Sequence, residues 1–419
     1  MGKRAMAWLC VVSGLLAVAR PAWAADPGLQ AEIEVLKERL AKLEAKLDES
    51  QIVPPTSGEG GPAMVQLPSG LQGVQMSGFV DTTYTYNFDV PQLRTNTLRV
   101  FDTRANSFMI NNAELVLEKP VSSESPAGFR TDLDFGTDAE VLSALTPATG
   151  LGTAGDEVEL QQAYVEYLAP LGNGLDIKAG KFVTLHGAEV IESKDNWNIS
   201  RSLLFGFAIP FTHTGIRVNY PWTDRFSTVV GVNNGWDVVD DNNQAKTVEL
   251  GFSSTPMENT SLGATYMFGA EQTGNNNNGR HLLDVVAGYQ PIEPLQLKLN
   301  YDYGWDDDAV AFGNNAVWQG LAAYARYALT DRAALSLRGE FFNDFDGVRT
   351  GVATGLNSIT SAGIKVYEYT LTGEYKIFKN LVGRLEYRHD RANEKVFRNR
   401  DLSQRSYQDT VAVEFIAPF

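Results

Sequence analysis

The sequence predicts an all-β chain: a transmembrane antiparallel β-barrel of about 16 strands (14–18), preceded by a short N-terminal α-helical coiled coil. Three observations lead there. Apolar and polar residues alternate with period two from Val74 to Phe419. Short links between the alternating runs take turns with long polar ones. No segment after the N-terminal leader offers the eighteen or more consecutive apolar residues that a spanning helix needs.

The leader comes first. Lys3 and Arg4 precede an apolar run from Ala5 to Ala19, and Ala22-Trp23-Ala24 supplies small residues for cleavage, so residues 1–24 are expected to be a signal peptide cut after Ala24. Cys10 lies inside that run, and Leu9 before it is too large for a lipoprotein signal. The mature chain then carries no cysteine, which excludes disulfides, thiolate metal sites and cysteine nucleophiles.

In residues 25–50, Leu29, Ile33, Leu36, Leu40, Leu43 and Leu47 recur at spacings of four and three with charges between them. Roughly three heptads of this kind predict a short coiled coil, or a single amphipathic helix lying on another surface. Residues 51–73 change to Pro54-Pro55, Gly60-Gly61-Pro62 and Pro68, a composition that sustains neither helix nor ladder, and are expected to be a linker.

Residues 74–419 carry the strands. Leu295, Leu297, Leu299, Tyr301 and Tyr303 alternate with Gln296, Lys298, Asn300 and Asp302. Period two fits a soluble sandwich as well as a barrel, because the apolar face meets a second sheet in one and lipid in the other. The connections decide. Short links at 169–174, 221–225, 255–260, 290–294, 328–332 and 376–380 alternate with long ones at 90–105, 137–156, 185–212, 233–245, 269–279, 305–315, 343–360 and 391–405. A soluble domain has no reason to sort its loops, whereas a membrane barrel has short periplasmic turns and long external loops. Tyr167, Tyr220, Tyr289, Tyr327 and Tyr375 precede short turns on the apolar face and suit an aromatic girdle. The last strand places Val411, Val413, Phe415, Ala417 and Phe419 on one face and ends on an aromatic, a signal for outer-membrane insertion machinery.

A barrel this wide is expected to hold water. Taking the polar face as inward, the wall carries Arg130, Asp132, Asp134, Lys178, Arg217, Lys298, Arg326, Arg338, Glu340, Arg384, Glu386 and Arg388. The Leu185–Thr212 connection is too apolar at Leu203, Leu204, Phe205, Phe207, Ile209 and Phe211 to stay in water. Folded into the lumen, it sets Glu189, Glu192, Lys194, Asp195 and Arg201 at a constriction; the alternative is packing at the rim or between subunits.

Other chemistries are poorly served. His186, His213, His281 and His389 lack ligand-like spacing, and neither a nucleophile elbow nor a phosphate loop is present, so no catalytic residue, metal or cofactor is expected. Acidic groups at Asp237, Asp240 and Asp241 and at Asp306 to Asp308 miss the ordered calcium-loop pattern. A formal charge of -16 without a basic stripe argues against nucleic acid as a partner.

Arg99-Val-Phe-Asp102, Asn106-Ser-Phe108, Gly180-Lys-Phe182, Gly187-Ala-Glu-Val190, the run Ser200-Arg201-Ser-Leu-Leu-Phe-Gly-Phe-Ala-Ile-Pro210, Thr212-His-Thr-Gly215 and Asn233-Asn-Gly-Trp-Asp237 together resemble the OmpL-like outer-membrane β-barrel porins over roughly residues 76–419. The resemblance implies a porin-like barrel with no catalytic residue to carry over. The expectation is passive diffusion of small hydrophilic solutes or ions, with outer-membrane lipid around a homotrimer and the coiled coil on the periplasmic side. The alternative is an envelope tether acting through cell-wall contact of the coiled coil.

Overall fold

The computed structural model describes residues 73–145, 157–310, 313–351 and 363–419. The expected signal peptide, the coiled coil and the linker up to residue 72 lie outside these residues. Sixteen strands close into one antiparallel barrel: β1 (Gln75–Asn87), β2 (Ser107–Lys119), β3 (Ala127–Phe135), β4 (Val158–Ala169), β5 (Leu175–Val183), β6 (Thr212–Thr223), β7 (Phe226–Asn233), β8 (Thr247–Ser254), β9 (Thr260–Ala270), β10 (Gly279–Ile292), β11 (Leu295–Val310), β12 (Asn314–Ala328), β13 (Ala333–Asp344), β14 (Ile364–Phe378), β15 (Leu381–Ala392) and β18 (Tyr407–Pro418). The remaining pair, β16 (Phe397–Arg398) and β17 (Gln404–Arg405), forms a small hairpin in the last loop. Closure is by β1 against β18, and beyond the register Gly78 and Phe419 exchange backbone hydrogen bonds of 3.1 and 2.9 Å.

The strands invert the burial rule of a water-soluble protein. In β13, Leu335 and Leu337 are 42% and 54% exposed while Ser336 between them and Arg338 and Glu340 beyond them are 1%, 2% and 5% exposed. Apolar side chains facing lipid remain uncovered, and inward polar ones are covered by whatever fills the lumen. The same alternation exposes Leu371, Leu385, Tyr387 and Phe415 and buries Thr372, Glu386, Arg388 and Glu414. Tyr167, Tyr289, Tyr327 and Tyr375 all stand exposed just before short turns, as an aromatic girdle requires.

Links at one end of the barrel are short and those at the other are long, with both chain ends of the barrel at the turn end. Two long connections differ from the sequence expectation. Residues 305–315 are mostly ladder, because β11 runs on to Val310 and β12 begins at Asn314. The indole of Trp305 stacks on His281 with centroids 4.2 Å apart, and Arg280 holds Asp306 of the acidic run at 2.5 Å. Within 137–156, residues Thr137–Leu145 form a helix, α1, with Asp138 and Glu140 in its first turn where the helix dipole favours them. Its Ala139 and Leu142 are buried.

The largest apolar cluster lies inside the barrel. Leu203, Leu204, Phe205, Ala208 and Ile209 from the β5–β6 connection pack with Trp318, Ala322 and Tyr324 of β12 and Phe342 of β13. Gly304 of β11 makes room: a Cβ there would stand 2.3 Å from the Trp318 ring.

Candidate functional site: an inserted loop and the channel beside it

The β5–β6 connection turns inward, and its apolar run packs against β12 and β13. Its neck is closed by the Thr184 N–H donating to the Phe211 carbonyl at 2.9 Å. Gly187 then adopts φ +90, and a Cβ would meet Ile209 Cδ1 at 2.7 Å, so this turn needs glycine. Asn196 staples the tip by accepting from Val190 N at 3.0 Å and donating to the Val190 carbonyl at 2.7 Å. Arg201 spends its donors on the loop itself, at the carbonyls of Val190, Ile191 and Ile199. A π-helical turn, Leu204–Ala208, ends the inserted part.

The β12–β15 wall holds this loop through charged side chains. Glu386 accepts from Ile199 N (2.6 Å), Ser200 N (3.0 Å) and Ser200 Oγ (2.5 Å). Glu340 accepts from Leu203 N (2.7 Å) and Leu204 N (3.2 Å), satisfying donors at the start of the π-turn. Trp318 Nε1 donates to the Ala208 carbonyl at 3.0 Å at its other end. Arg338 donates to Glu189 and to the Ser200 carbonyl, Arg388 to the Arg201 carbonyl, and Arg384 to the Ser193 carbonyl. Hydrogen bonds to charged groups contribute about 1.5–3 kcal/mol each, so several together hold the loop in one position.

The residues singled out from sequence therefore fall into two groups. Arg338, Glu340, Arg384, Glu386 and Arg388 face inward but lie beneath the loop, buried, each with at least one hydrogen bond to it and several more to neighbouring wall side chains. Arg130 pairs with Asp132 at 2.9 Å, Arg326 with Glu374 at 2.7 Å, Lys178 with Glu166 at 3.3 Å and Arg217 with Glu249 at 2.9 Å. Lys298 stands over the Trp197 ring at 4.3 Å. On the loop, Glu189 is buried against Arg338, Glu192 accepts from Gln161 at 2.8 Å, and Lys194 pairs with Asp195. The partners Glu166, Glu249, Glu368, Glu374 and Glu414 were not singled out from sequence, although each sits on the inward face of its strand.

Space remains on the opposite wall. A cavity of about 420 Å³ lies between the loop and β5–β10, lined by Asp176, Lys178, Arg217, Asn219, Thr265 and Asp284 among others. It shares Gly187 and Val286 with a second cavity of about 520 Å³ reaching Trp197, Gln296 and Lys298. It shares Asn219, Ser227 and Ser253 with a third at the turn end. At the loop end a separate cavity of about 530 Å³ opens between Arg99, Glu140, Phe207, Phe211 and Arg349.

Two histidines isolated in sequence meet here. The Thr184 hydroxyl lies 3.0 Å from His186 Nδ1 and 3.1 Å from His213 Nε2, and ligand atoms of both rings and of Glu249 lie within 4.8 Å of one another. Burial pushes the His186 imidazole down to about 3, so it is neutral. Of the loop acids considered for calcium, Asp237 accepts from Phe211 N (2.6 Å) and Thr212 N (3.0 Å), and Asp241 pairs with Lys246.

A closed sixteen-stranded barrel with a lipid-type exterior, a polar interior and a loop folded into it defines a porin-type barrel. Residues 73–419 match the family described as "Putative beta-barrel porin-2, OmpL-like", and the chain belongs to that family. The fold is shared with the anion-selective porin from Comamonas acidovorans (TM-score 0.57, 11% identity, covering 83% of this chain and 99% of that one). It is also shared with outer-membrane expressed OmpT of Vibrio cholerae (0.55, 12%, 85% and 100%) and with the outer membrane channel DcaP of Acinetobacter baumannii (0.52, 12%, 83% and 97%). Curated protein sequences gave no match.

Proposed function

We propose that the chain is a passive outer-membrane channel for small hydrophilic solutes or ions, with the short turns in the periplasm. The observation that carries this reading is the uneven seating of the loop. Its charged anchors stand on β12–β15, with single bonds to Gln161 of β4 and Asn300 of β11, and a connected polar space remains along β5–β11, with Lys178, Arg217 and Lys298 on its lining. Such an arrangement narrows the barrel without filling it, and charged groups beside the narrow part act on ions.

A homotrimer is part of the proposal. OmpT of Vibrio cholerae, which shares the fold, has been solved in a trimer form, and wide barrels gain from packing their apolar exteriors together.

Single-channel recording of the purified chain in planar bilayers under a salt gradient tests the function. Discrete current steps with a defined reversal potential support a channel. Silent bilayers from protein whose heat-modifiable mobility proves folding would refute it. Chemical cross-linking in detergent tests the trimer.

A further inference from the structure

Where the loop tip reaches β2 and β3, past the β1–β18 closure from its arginine anchors, the side chains are acidic. Glu114 of β2, Asp132 of β3 and Glu192 of the loop each place a carboxylate oxygen within 4.8 Å of the others. Asp134 stands directly across the ladder from Glu114, and Glu114, Asp132 and Asp134 are 2%, 0% and 0% exposed. Like charges paired across a ladder oppose the fold, more so where water is excluded.

Nearby cations do not balance this charge. Arg130 is engaged with Asp132 and, at 3.6 Å, with Glu118. Lys194 pairs with Asp195 and lies over the Phe79 ring. Glu114, Asp134 and Glu192 have no ion-pair partner among the described residues. Independent of the carboxylates, Gln161 is fully buried, and its amide nitrogen donates to Glu192 at 2.8 Å. Its Oε1 beside the same carboxylate has no hydrogen-bond partner. Glu114 Oε2, Asp134 Oδ2 and Asn112 Oδ1 are buried and unpartnered in the same way. Buried acceptors without donors are costly, and four in one place call for something positive.

We propose that a calcium ion binds between Glu114, Asp132 and Glu192, with Asp134 and the Gln161 carbonyl oxygen completing its shell. The donors are all oxygen, which selects a hard cation over zinc or copper. Calcium takes six to eight oxygens at about 2.3–2.6 Å, so no two ligands of one ion stand more than about 4.6–5.2 Å apart, and the three carboxylate oxygens, all within 4.8 Å of one another, meet that limit. Magnesium prefers to keep several waters and fits a crowded carboxylate site less well. The ion ties Glu192 at the loop tip to β2 and β3, while the arginines and glutamates of β13–β15 hold residues 199–204. Calcium thus extends the anchoring of the loop along the wall to β2 and β3.

The test is radiolabelled calcium binding by equilibrium dialysis, using the full chain extracted from outer membranes, stripped with chelator, and dialysed against calcium with excess magnesium. The wild type is expected to hold calcium; Glu114→Gln and Glu192→Gln each lose one ion per chain, and Asp195→Asn loses none. The thermal midpoint of the wild type is expected to rise with calcium and fall with chelator, and that of Glu192→Gln to respond to neither. Should Glu114→Gln fail to fold, the loop variant Glu192→Gln reads the site alone. A wild type that binds no calcium, or variants that keep its full complement, overturns the site and leaves the carboxylates sharing protons instead. Neither result bears on whether the barrel conducts.

Discussion

Arg338 Nη1 lies 2.7 Å from Glu189 Oε1 and 2.6 Å from the Ser200 carbonyl oxygen, while its Nε holds Glu368 at 3.1 Å. One guanidinium on β13 thereby joins both legs of the inserted loop to the neighbouring strand. Arg is suited to this because its planar fork serves several acceptors at once without losing its charge.

Replacing Arg338 with Ala leaves buried Glu189 without its ion-pair partner and Glu368 with only Arg388 at 3.6 Å, and breaking a buried pair in this way costs about 3–5 kcal/mol. The cost falls on the seating of the loop more than on the barrel, whose ladder is untouched. Single-channel records of Arg338→Ala are expected to show larger and noisier currents from a barrel of normal heat-modifiable mobility. Current levels and noise equal to wild type would show that the loop does not need this anchor.

Glu386 offers a finer probe, since its carboxylate receives Ile199 N and Ser200 N together with the Ser200 hydroxyl. Glu386→Ala removes charge-assisted bonds of about 1.5–3 kcal/mol each. Amide hydrogen exchange at residues 199 and 200 is expected to speed up by at least about tenfold, since each 1.4 kcal/mol is a factor of ten. Exchange in β14 should stay slow. Glu340→Ala should do the same at 203 and 204, whose N–H groups it holds. Unchanged exchange at these positions would mean that apolar packing alone seats the loop.

The barrel was legible because its rules are local. Alternation such as Leu295 to Tyr303 needs only neighbouring residues, and sorted connection lengths need only counting. The run from Leu203 to Phe211 showed that its loop must pack somewhere. Period two says which face a residue occupies and nothing about what stands opposite. The contact between Glu189 and Arg338, and the commitment of Glu386 and Arg388 to loop backbone, join positions far apart in sequence. Arginines on the polar face therefore read as pore lining when five of the wall residues singled out lie beneath the loop. The helix at Thr137–Leu145 escaped because nine residues within a polar stretch leave little periodicity to read. His186 and His213 escaped because only the loop's return brings them to the same hydroxyl.

Charge selectivity should depend on which cations along the open side remain uncompensated. Lys178 is paired with Glu166 and Arg217 with Glu249, whereas Lys298 faces the Trp197 ring and has no ion pair among the described residues. A paired cation contributes little field at a distance, so Lys298 is the stronger lever. In a potassium chloride gradient, Lys298→Gln is expected to move the reversal potential toward cation preference by more than Lys178→Gln does. Equal shifts, or none at Lys298, would place the selective region elsewhere.

A pH response is expected from Asp237, in the loop between β7 and β8. Burial pushes its carboxyl up from 3.8 to about 6, against the pull of the backbone N–H groups of Thr212 and Phe211. With the folded value above the unfolded one, the folded chain holds the extra proton, so this group's contribution is complete below pH ~4 and lost as pH rises through ~6. About two pH units at 1.36 kcal/mol each give an effect on the order of 3 kcal/mol. The residue has φ 55, a conformation that asparagine tolerates well, and an amide oxygen still accepts from both N–H groups. Asp237→Asn is therefore expected to raise the thermal midpoint at pH 7 and to flatten its dependence on pH between ~4 and ~6. Midpoints at pH 4, 5, 6 and 7 decide it: a variant whose slope matches wild type would show that this carboxyl does not titrate in that window.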